Sequence, residues 1–369
     1  MDNLHILYPE WFTEEEAEEY AKQQAYENGA ANQLSNFSIT GDSEKLRRKM
    51  LEDQFVLEDI AILGQWTTLY AAPNTGKTLL TLWLLGKAIE TDLDGEMVYY
   101  INADDHFRGL VEKIEIAEEY CMHMIAPHHN DFDVRHVPQM MLEMAKDGSA
   151  NGVTFILDTL KKFTDLMDKR ASTEFGKAAR GFVSAGGTLI ALAHTNKHKN
   201  ADGKSVYSGT SDIIDDSDCA YVLDKVSTNE QDGGTLHTVE FTNKKARGDV
   251  APKAGFTYFK KIGQSYADLL STVERIGRDD VEKIRLKSEA QEKLDEDEPI
   301  IQAVCEAIAD GINTKDKLIK AALAQTGEST RKIRQVLDDR TGDMHMFGHR
   351  WTISKGTHNK HVYAVLPSL

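Results

Sequence analysis

Cysteine is scarce in this chain. Cys121, Cys219 and Cys305 stand alone among 369 residues, which excludes a disulfide framework and gives no cysteine-based zinc spacing. A reducing interior fits such usage, and the expected location is cytoplasmic, in a bacterial or phage-infected host cell. Long hydrophobic runs are also missing. None approaches the roughly 20 residues of a membrane span, and the acidic start MDNLHILYPEWF does not read as a secretory leader. The 13 histidines include the pair His128-His129, but no spacing that suits a metal better than a surface loop. Positive charge is in deficit, with 43 Lys and Arg against 60 Asp and Glu, a net of -17. That balance weighs against a nucleic-acid partner until its distribution is considered. Residues 1–60 hold 5 basic and 14 acidic side chains, whereas residues 301–369 hold 10 basic and 7 acidic ones plus four histidines. Phosphate attraction is screened beyond about 8–10 Å, so a local basic footprint can act within an acidic chain.

What is present divides into segments. Residues 1–50 carry the acidic, helix-like run TEEEAEEYAKQQAYENGAANQ, which reads as a solvated helix. Residues 51–270 alternate short apolar strands with helical patterns, the signature of an α/β domain with a mostly parallel central sheet. Residues 271–298 are too charged for a core and end before Pro299, so they read as a linker or exposed helix. Residues 299–369 form a small C-terminal domain.

The most informative stretch is LYAAPNTGKTLLTLWLL, Leu69 to Leu85. Gln65 to Ala72 is rich in β-branched and aromatic residues and predicts a strand. Gly76 to Thr91 predicts a well-buried helix. Their junction is formed by Ala72, Pro73, Asn74, Thr75, Gly76, Lys77, Thr78 and Leu79, from the last residue of the strand to the first turn of the helix. That architecture lets backbone N–H groups and a helix N-terminus hold phosphate, with Lys77 reaching the β/γ-phosphates and Thr78 holding Mg2+. The pattern G-x-x-x-x-G-K-[ST] wants glycine where Ala71 stands. Alanine serves there if its φ stays negative. A second Gly-Lys-Ser at Gly203 lacks a strand before it and is a chance copy.

Three further strands end in polar residues. Val153 to Leu157 ends in Asp158, placed to orient Mg2+ and water unless it merely caps the next helix. The strand in EMVYYINADD ends in Asp104 and Asp105, read as functional carboxylate and helix cap respectively. Thr188 to Ala193 runs into His194, a candidate γ-phosphate sensor. Lys245 and Arg247 lie two apart in a strand-like run, so both side chains would leave one face as a cationic fork; an edge strand guarded by charge is the alternative.

In their order, AAPNTGKT, INADD, FILDTLKKFTD, ALAHTNKH, YSGTSDIIDDSDCAYVL and NKKARGD resemble the RecA-like core of ring-shaped replicative helicases. This is the superfamily 4 type, DnaB-like and plasmid RepA-like, of phages and plasmids. The resemblance spans about 60–265. It implies an ATP- and Mg2+-dependent DNA motor, with Lys77 and Thr78 on nucleotide and metal, Asp158 as the second metal-site acid, and His194 as sensor. It also implies that Lys245 and Arg247 enter a neighbouring subunit's site, hence a homo-oligomer, expected as a hexamer. Channel loops carrying single-stranded DNA would be Lys161, Lys162, Lys169 and Arg170, and Lys197, Lys199 and Lys204. Asp104 stands where the family usually has glutamate, which puts the catalytic base in doubt. The alternative function is an ATP-dependent DNA-binding, recombination or replication-initiation factor that assembles without unwinding.

The tail reads as three helices, the second starting at Asn313-Thr314 and the third at Gly327-Glu328-Ser329, followed by two short strands. Helices then a hairpin resemble a winged helix, whose third helix commonly enters the DNA major groove. Arg331, Lys332 and Arg334, with Lys355 and Lys360, would be the contacts to duplex DNA; other replication proteins are the alternative partners.

Overall fold

The computed structural model describes residues 54–195, 212–345, 348–355 and 361–367, and before them only residues 16, 19, 20, 22–24, 38–44 and 47. Most of the acidic segment expected over 1–50, the channel candidates Lys197, Lys199 and Lys204, the second Gly-Lys-Ser, and Lys360 therefore lie outside the described residues.

A short pair, β1 (Phe55–Leu57) and β2 (Ala61–Ile62), precedes the central sheet. That sheet has nine strands: β3 (Trp66–Ala71), β4 (Val98–Asn102), β5 (His123–Ile125), β6 (Thr154–Asp158), β7 (Thr188–His194), β8 (Cys219–Gln231), β9 (Gly234–Lys245), β10 (Lys253–Lys260) and β11 (Glu274–Ile276). Their spatial order is β11-β10-β9-β8-β3-β7-β6-β4-β5. The six strands from β8 to β5 run parallel; β9, β10 and β11 extend the sheet antiparallel. The expected mostly parallel α/β sheet is what forms.

Strand alternation sorts the core into two faces. Leu69, Ala71, Tyr100, Ile156, Leu192 and Leu223 face one side, with the leucines of α1 (Lys77–Thr91) and Ile116 of α2 (Phe107–Glu119). Trp66, Tyr70, Ile101, Phe155 and Leu157 face the other, under α3 (Val137–Asp147) and α4 (Lys169–Ser184). Leu79, Leu80, Leu82, Leu84 and Leu85 are all buried, so α1 is enclosed almost all round. Beyond β7, the short α5 (Asp212–Asp216) leads into β8. After β10, α6 (Tyr266–Ser271) folds back beside the end of β3.

The stretch 271–298, expected as a linker or an exposed helix, is helical and mostly exposed from Arg278 onward. It supplies β11 and the first two-thirds of α7 (Arg278–Ala309), a single helix of 32 residues running through Pro299. Proline removes one backbone hydrogen bond, but packing on both halves holds the helix. Val281 is 1% exposed and sits where Gly255 leaves no room for a Cβ, and Arg285 reaches Glu240 at 2.7 Å. Past the proline, Ile300, Ile301, Ala303 and Val304 join a separate apolar cluster. Asp297 pairs with Arg340 at 2.7 Å, both buried.

That cluster organises the C-terminal part. α8 (Lys315–Thr326) starts at Thr314, and α9 (Thr330–Asp339) starts at Ser329, whose hydroxyl accepts from the Lys332 N–H. β12 (Trp351–Lys355) and β13 (His361–Val365) pair antiparallel. Trp351 is fully buried and donates its indole N–H to the Leu337 carbonyl at 3.0 Å, fixing the hairpin on α9.

Candidate active site

The first glycine of the loop pattern is dispensable because of where Ala71 lies. It is the last residue of β3, in register with His194 and Leu223, and is not among the residues with positive φ. Gly76 is another matter. Its φ is 96°, and a Cβ there would meet Tyr258 Cε1 at 2.8 Å, so both backbone and space require glycine. Asn74, at φ 61°, turns the loop, and Thr75 Oγ1 closes it on the Ala72 carbonyl at 2.9 Å. Helix α1 then starts with no side chain capping its first N–H groups, leaving them to face an anion.

Asp158 is where the loop meets β6. Lys77 Nζ lies 3.3 Å from its Oδ1, and Thr78 Oγ1 donates to its Oδ2 at 2.7 Å. Tyr100, from the neighbouring strand β4, donates its hydroxyl to the same Oδ2 at 2.8 Å. Burial pushes the Asp158 carboxyl up, but the Lys77 ammonium and the two hydroxyls more than offset it and hold the group below its ordinary value. Asp158 is therefore an ionised metal-ligand candidate, not a helix cap. Its pairing with the Thr78 hydroxyl is a hard-oxygen donor set that suits Mg2+. Among the described residues no cluster of three His, Cys, Asp or Glu offers another metal site.

The carboxylates after β4 divide their roles by the partners they meet. Asp105 accepts from Asn102 Nδ2 at 2.6 Å and pairs with Lys113 of α2. It does not cap that helix, whose N-cap is His106 without a side-chain bond; the capping expectation for Asp105 is corrected, because a lysine further along the helix captures the carboxylate. Among the described residues no lysine pairs with Asp104. Its side chain is 42% exposed and its Oδ2 lies 4.0 Å from His194 Nε2. Burial, followed by the Lys77 and Lys161 ammoniums, lowers the His194 imidazole below its ordinary value, so it is neutral near pH 7. Its buried Nδ1 has no hydrogen-bond partner among the described residues.

These groups line one cavity of about 580 Å3, together with all eight loop residues from Ala72 to Leu79. Sequence reasoning missed the polar groups of its remaining wall, Lys113, Lys225, His237, Tyr258, Lys260 and Tyr266, beside Leu269. Strands β8, β9 and β10 run on past the end of β3 and bring Lys225, His237 and Lys260 over the loop, the two lysines as cations and His237 as an imidazole that burial holds below its ordinary value. His237 and Tyr258 pack against each other with ring centroids 4.8 Å apart and planes tilted by 32°. No local pattern announces such residues, because their position depends on the antiparallel register of three strands.

The cationic fork lies elsewhere. Lys245 ends β9, but Arg247 lies beyond the strand, before Gly248 with φ 144°. The shared-face argument is thus corrected: the chain has already left the sheet at Ala246. Both side chains still meet at one place. Lys245 Nζ donates to the Ile214 carbonyl at 2.8 Å, and Arg247 donates to Asp218 Oδ1 at 3.2 Å while 56% exposed. Asp218 also accepts from the Trp66 N–H at the first residue of β3. The fork and the loop therefore occupy opposite ends of that strand, roughly 17 Å or more apart at ~3.3 Å per residue.

Of the nucleic-acid candidates, Lys161 and Lys162 are exposed in the turn that follows Asp158. Lys169 and Arg170 open α4, with Arg170 paired to Glu174 at 3.0 Å. On α9, Arg331 and Arg334 are exposed and Lys332 pairs with Glu328 at 3.3 Å. No described helix is long and apolar enough to cross a membrane.

No protein-family model and no curated protein matches the chain. Among solved structures, a KaiC-like protein from Pyrococcus horikoshii OT3 superposes with a TM-score of 0.41 at 15% identity, covering 58% of this chain and 91% of that one. The flagellar accessory protein FlaH from Methanocaldococcus jannaschii gives 0.39 at 9% identity, covering 58% and 90%. Scores that low decide neither the fold family nor the activity of this chain.

Proposed function

We propose that this chain is a RecA-like ATPase that assembles as a ring and uses ATP hydrolysis to translocate on single-stranded DNA as a helicase of phage or plasmid kind. The observation that carries the proposal is the convergence of Lys77, Thr78, Asp158, Asp104 and His194 on one cavity, above a loop whose Gly76 admits no side chain. Triphosphate lies against residues 72–79, with Lys77 on its distal phosphates. Thr78 and Asp158 hold Mg2+, which when bound neutralises charge developing on the phosphates. Asp104 is the carboxylate left to orient the attacking water, since Asp105 is taken up by Lys113. Neutral His194 donates toward the transferred phosphoryl group.

The position of the fork supports assembly. Arg247 is too far from its own loop to serve it, so if it touches nucleotide at all it does so in the site of an adjacent copy. An arginine supplied in this way is worth ~10³–10⁵ in turnover. The ring would be a hexamer, with Lys161, Lys162, Lys169 and Arg170 facing a strand in its channel. The C-terminal helices and hairpin would act as a winged helix on duplex DNA or on another replication protein, in the cytoplasm of a bacterial or phage-infected cell.

One observation favours a second reading, an ATP-dependent factor that assembles on DNA without unwinding. Asp104 is a methylene shorter than glutamate and stands 4.0 Å from His194, a geometry suited to slow turnover. Strand displacement on forked DNA, with and without ATP, separates the two. Hydrolysis stimulated by single strands but with no displacement selects the second; no nucleotide binding at all rejects both.

A further inference from the structure

Tyr100 has no part in the function proposed so far. Its ring is fully buried on the α1 face of β4, and its backbone pairs with Ile156, two residues before Asp158. It does not line the nucleotide cavity. Its hydroxyl nevertheless ends 2.8 Å from Asp158 Oδ2 and donates to it.

Three groups hold the Asp158 carboxylate, and they differ in what else is asked of them. Lys77 and Thr78 belong to the loop, and under the proposed function both turn to phosphate and metal. Tyr100 comes from inside the sheet, carries no charge and reaches no other ligand. Among the described donors to Asp158, it is the one that can stay when the site is filled. A carboxylate that loses its last fixed donor is free to rotate, and rotation removes it as a metal ligand.

We infer that Tyr100 is the positioning residue for the metal site, fixing the Asp158 carboxylate in the orientation that receives Mg2+. The inference rests on the nucleotide reading of this cavity. Tyr100→Phe tests it, because it removes one hydroxyl and leaves the buried ring. Thermal unfolding of the whole chain is followed with a non-hydrolysable ATP analogue, in EDTA and across a Mg2+ titration.

In Tyr100→Phe the shift in EDTA should match that of the unsubstituted protein. The Mg2+ concentration giving half of the additional shift should rise roughly tenfold, the size expected for one charge-assisted hydrogen bond. Replacing Tyr100 by 4-aminophenylalanine, which restores a donor at the same place, should bring the titration back. Superimposable Mg2+ curves for Tyr100→Phe and the parent would overturn the inference alone, as would a 4-aminophenylalanine protein as impaired as Tyr100→Phe. If the unsubstituted protein shows no shift with the analogue, the nucleotide reading itself fails.

Discussion

Lys77 and Asp158 form an ion pair, 3.3 Å from ammonium to carboxylate, with both side chains less than a tenth exposed. Removing one partner of such a pair costs on the order of 3 kcal/mol, because the other is left charged and buried. Lys77→Met should therefore destabilise the protein as well as abolish nucleotide binding. The sign of its pH dependence follows from Asp158. A carboxyl held below its ordinary value contributes stability at neutral pH, and loses it as pH falls through the folded value. The gap in melting temperature between parent and Lys77→Met should be widest at neutral pH and close through the carboxylate range. Calorimetry across pH measures the gap; unaltered ATP hydrolysis in the variant would remove this loop from the site.

His194 gives a second pH signature, of different origin. Its folded value lies below the ordinary 6.5. The unfolded chain thus binds more protons in that window, and the His194 contribution is intact above pH 6.5 and lost as pH falls from there through the lowered folded value. Turnover that needs neutral imidazole should be level from pH 6.5 upward, with an acid limb below it. His194→Gln should retain some activity without that limb, whereas His194→Lys, a fixed cation beside Lys77, should retain none. A pH–rate profile decides it; an acid limb centred above 6.5 would contradict the neutral-imidazole role.

The two glycine positions of the loop pattern should behave oppositely on exchange. Gly76→Ala places a methyl group 2.8 Å from Tyr258 Cε1 at a φ of 96°, so nucleotide affinity should collapse. Ala71→Gly restores the usual residue, yet Ala71 already sits in extended backbone. It should leave ATP affinity unchanged and cost roughly 0.5–1 kcal/mol of stability from added chain freedom in a strand. Equilibrium nucleotide binding on both variants checks the pair, and tighter binding by Ala71→Gly would show that Ala71 impairs the loop.

These contrasts show what was legible beforehand. The loop, Asp158 and His194 could be placed because each depends on local pattern: a strand, its last residue, and the turn after it. Lys113, Tyr100 and Lys225 could not, because each reaches the site by the register of strands or helices distant in sequence. The first half of α7 could be read only as a linker or an exposed helix, because its charge looks solvated and Pro299 looks like a stop. It is anchored at three points, Val281 on Gly255, Arg285 on Glu240 and Asp297 on Arg340, whose partners are distant in the chain. Arg247 was assigned to a strand by spacing alone, and the positive φ of Gly248 marks where that pattern had already ended.

Arg247 itself is the test of assembly. Its bond to Asp218 is half exposed, so Arg247→Ala should unfold nothing; Arg180 continues to neutralise Asp218. ATP binding should persist and hydrolysis should fall by a factor on the order of 10³. Mixing Arg247→Ala with Lys77→Ala creates interfaces that combine an intact loop from one copy with an intact arginine from the other. Such a mixture should regain part of its turnover, read by a steady-state ATPase assay. A mixture as inactive as its components would place the arginine's action within one chain.

The C-terminal helices call for a gentler experiment than truncation. Cutting at Pro299 would divide α7 between Asp297 and Ile300, strand Asp297 without Arg340, and expose the apolar face on both sides. Charge reversal on α9 avoids this. Arg331 and Arg334 are exposed and take no part in the packing of Ile333, Val336 and Leu337 beneath them. The double variant Arg331→Glu with Arg334→Glu should keep the parent's melting temperature and basal ATPase. If these arginines neutralise phosphates, duplex affinity should fall and the slope of log K against log salt should lessen by about 2, close to one unit for each arginine replaced. Fluorescence anisotropy over a salt series reads both quantities. Affinity and slope equal to the parent's would turn α9 from a DNA-reading helix into a surface for protein.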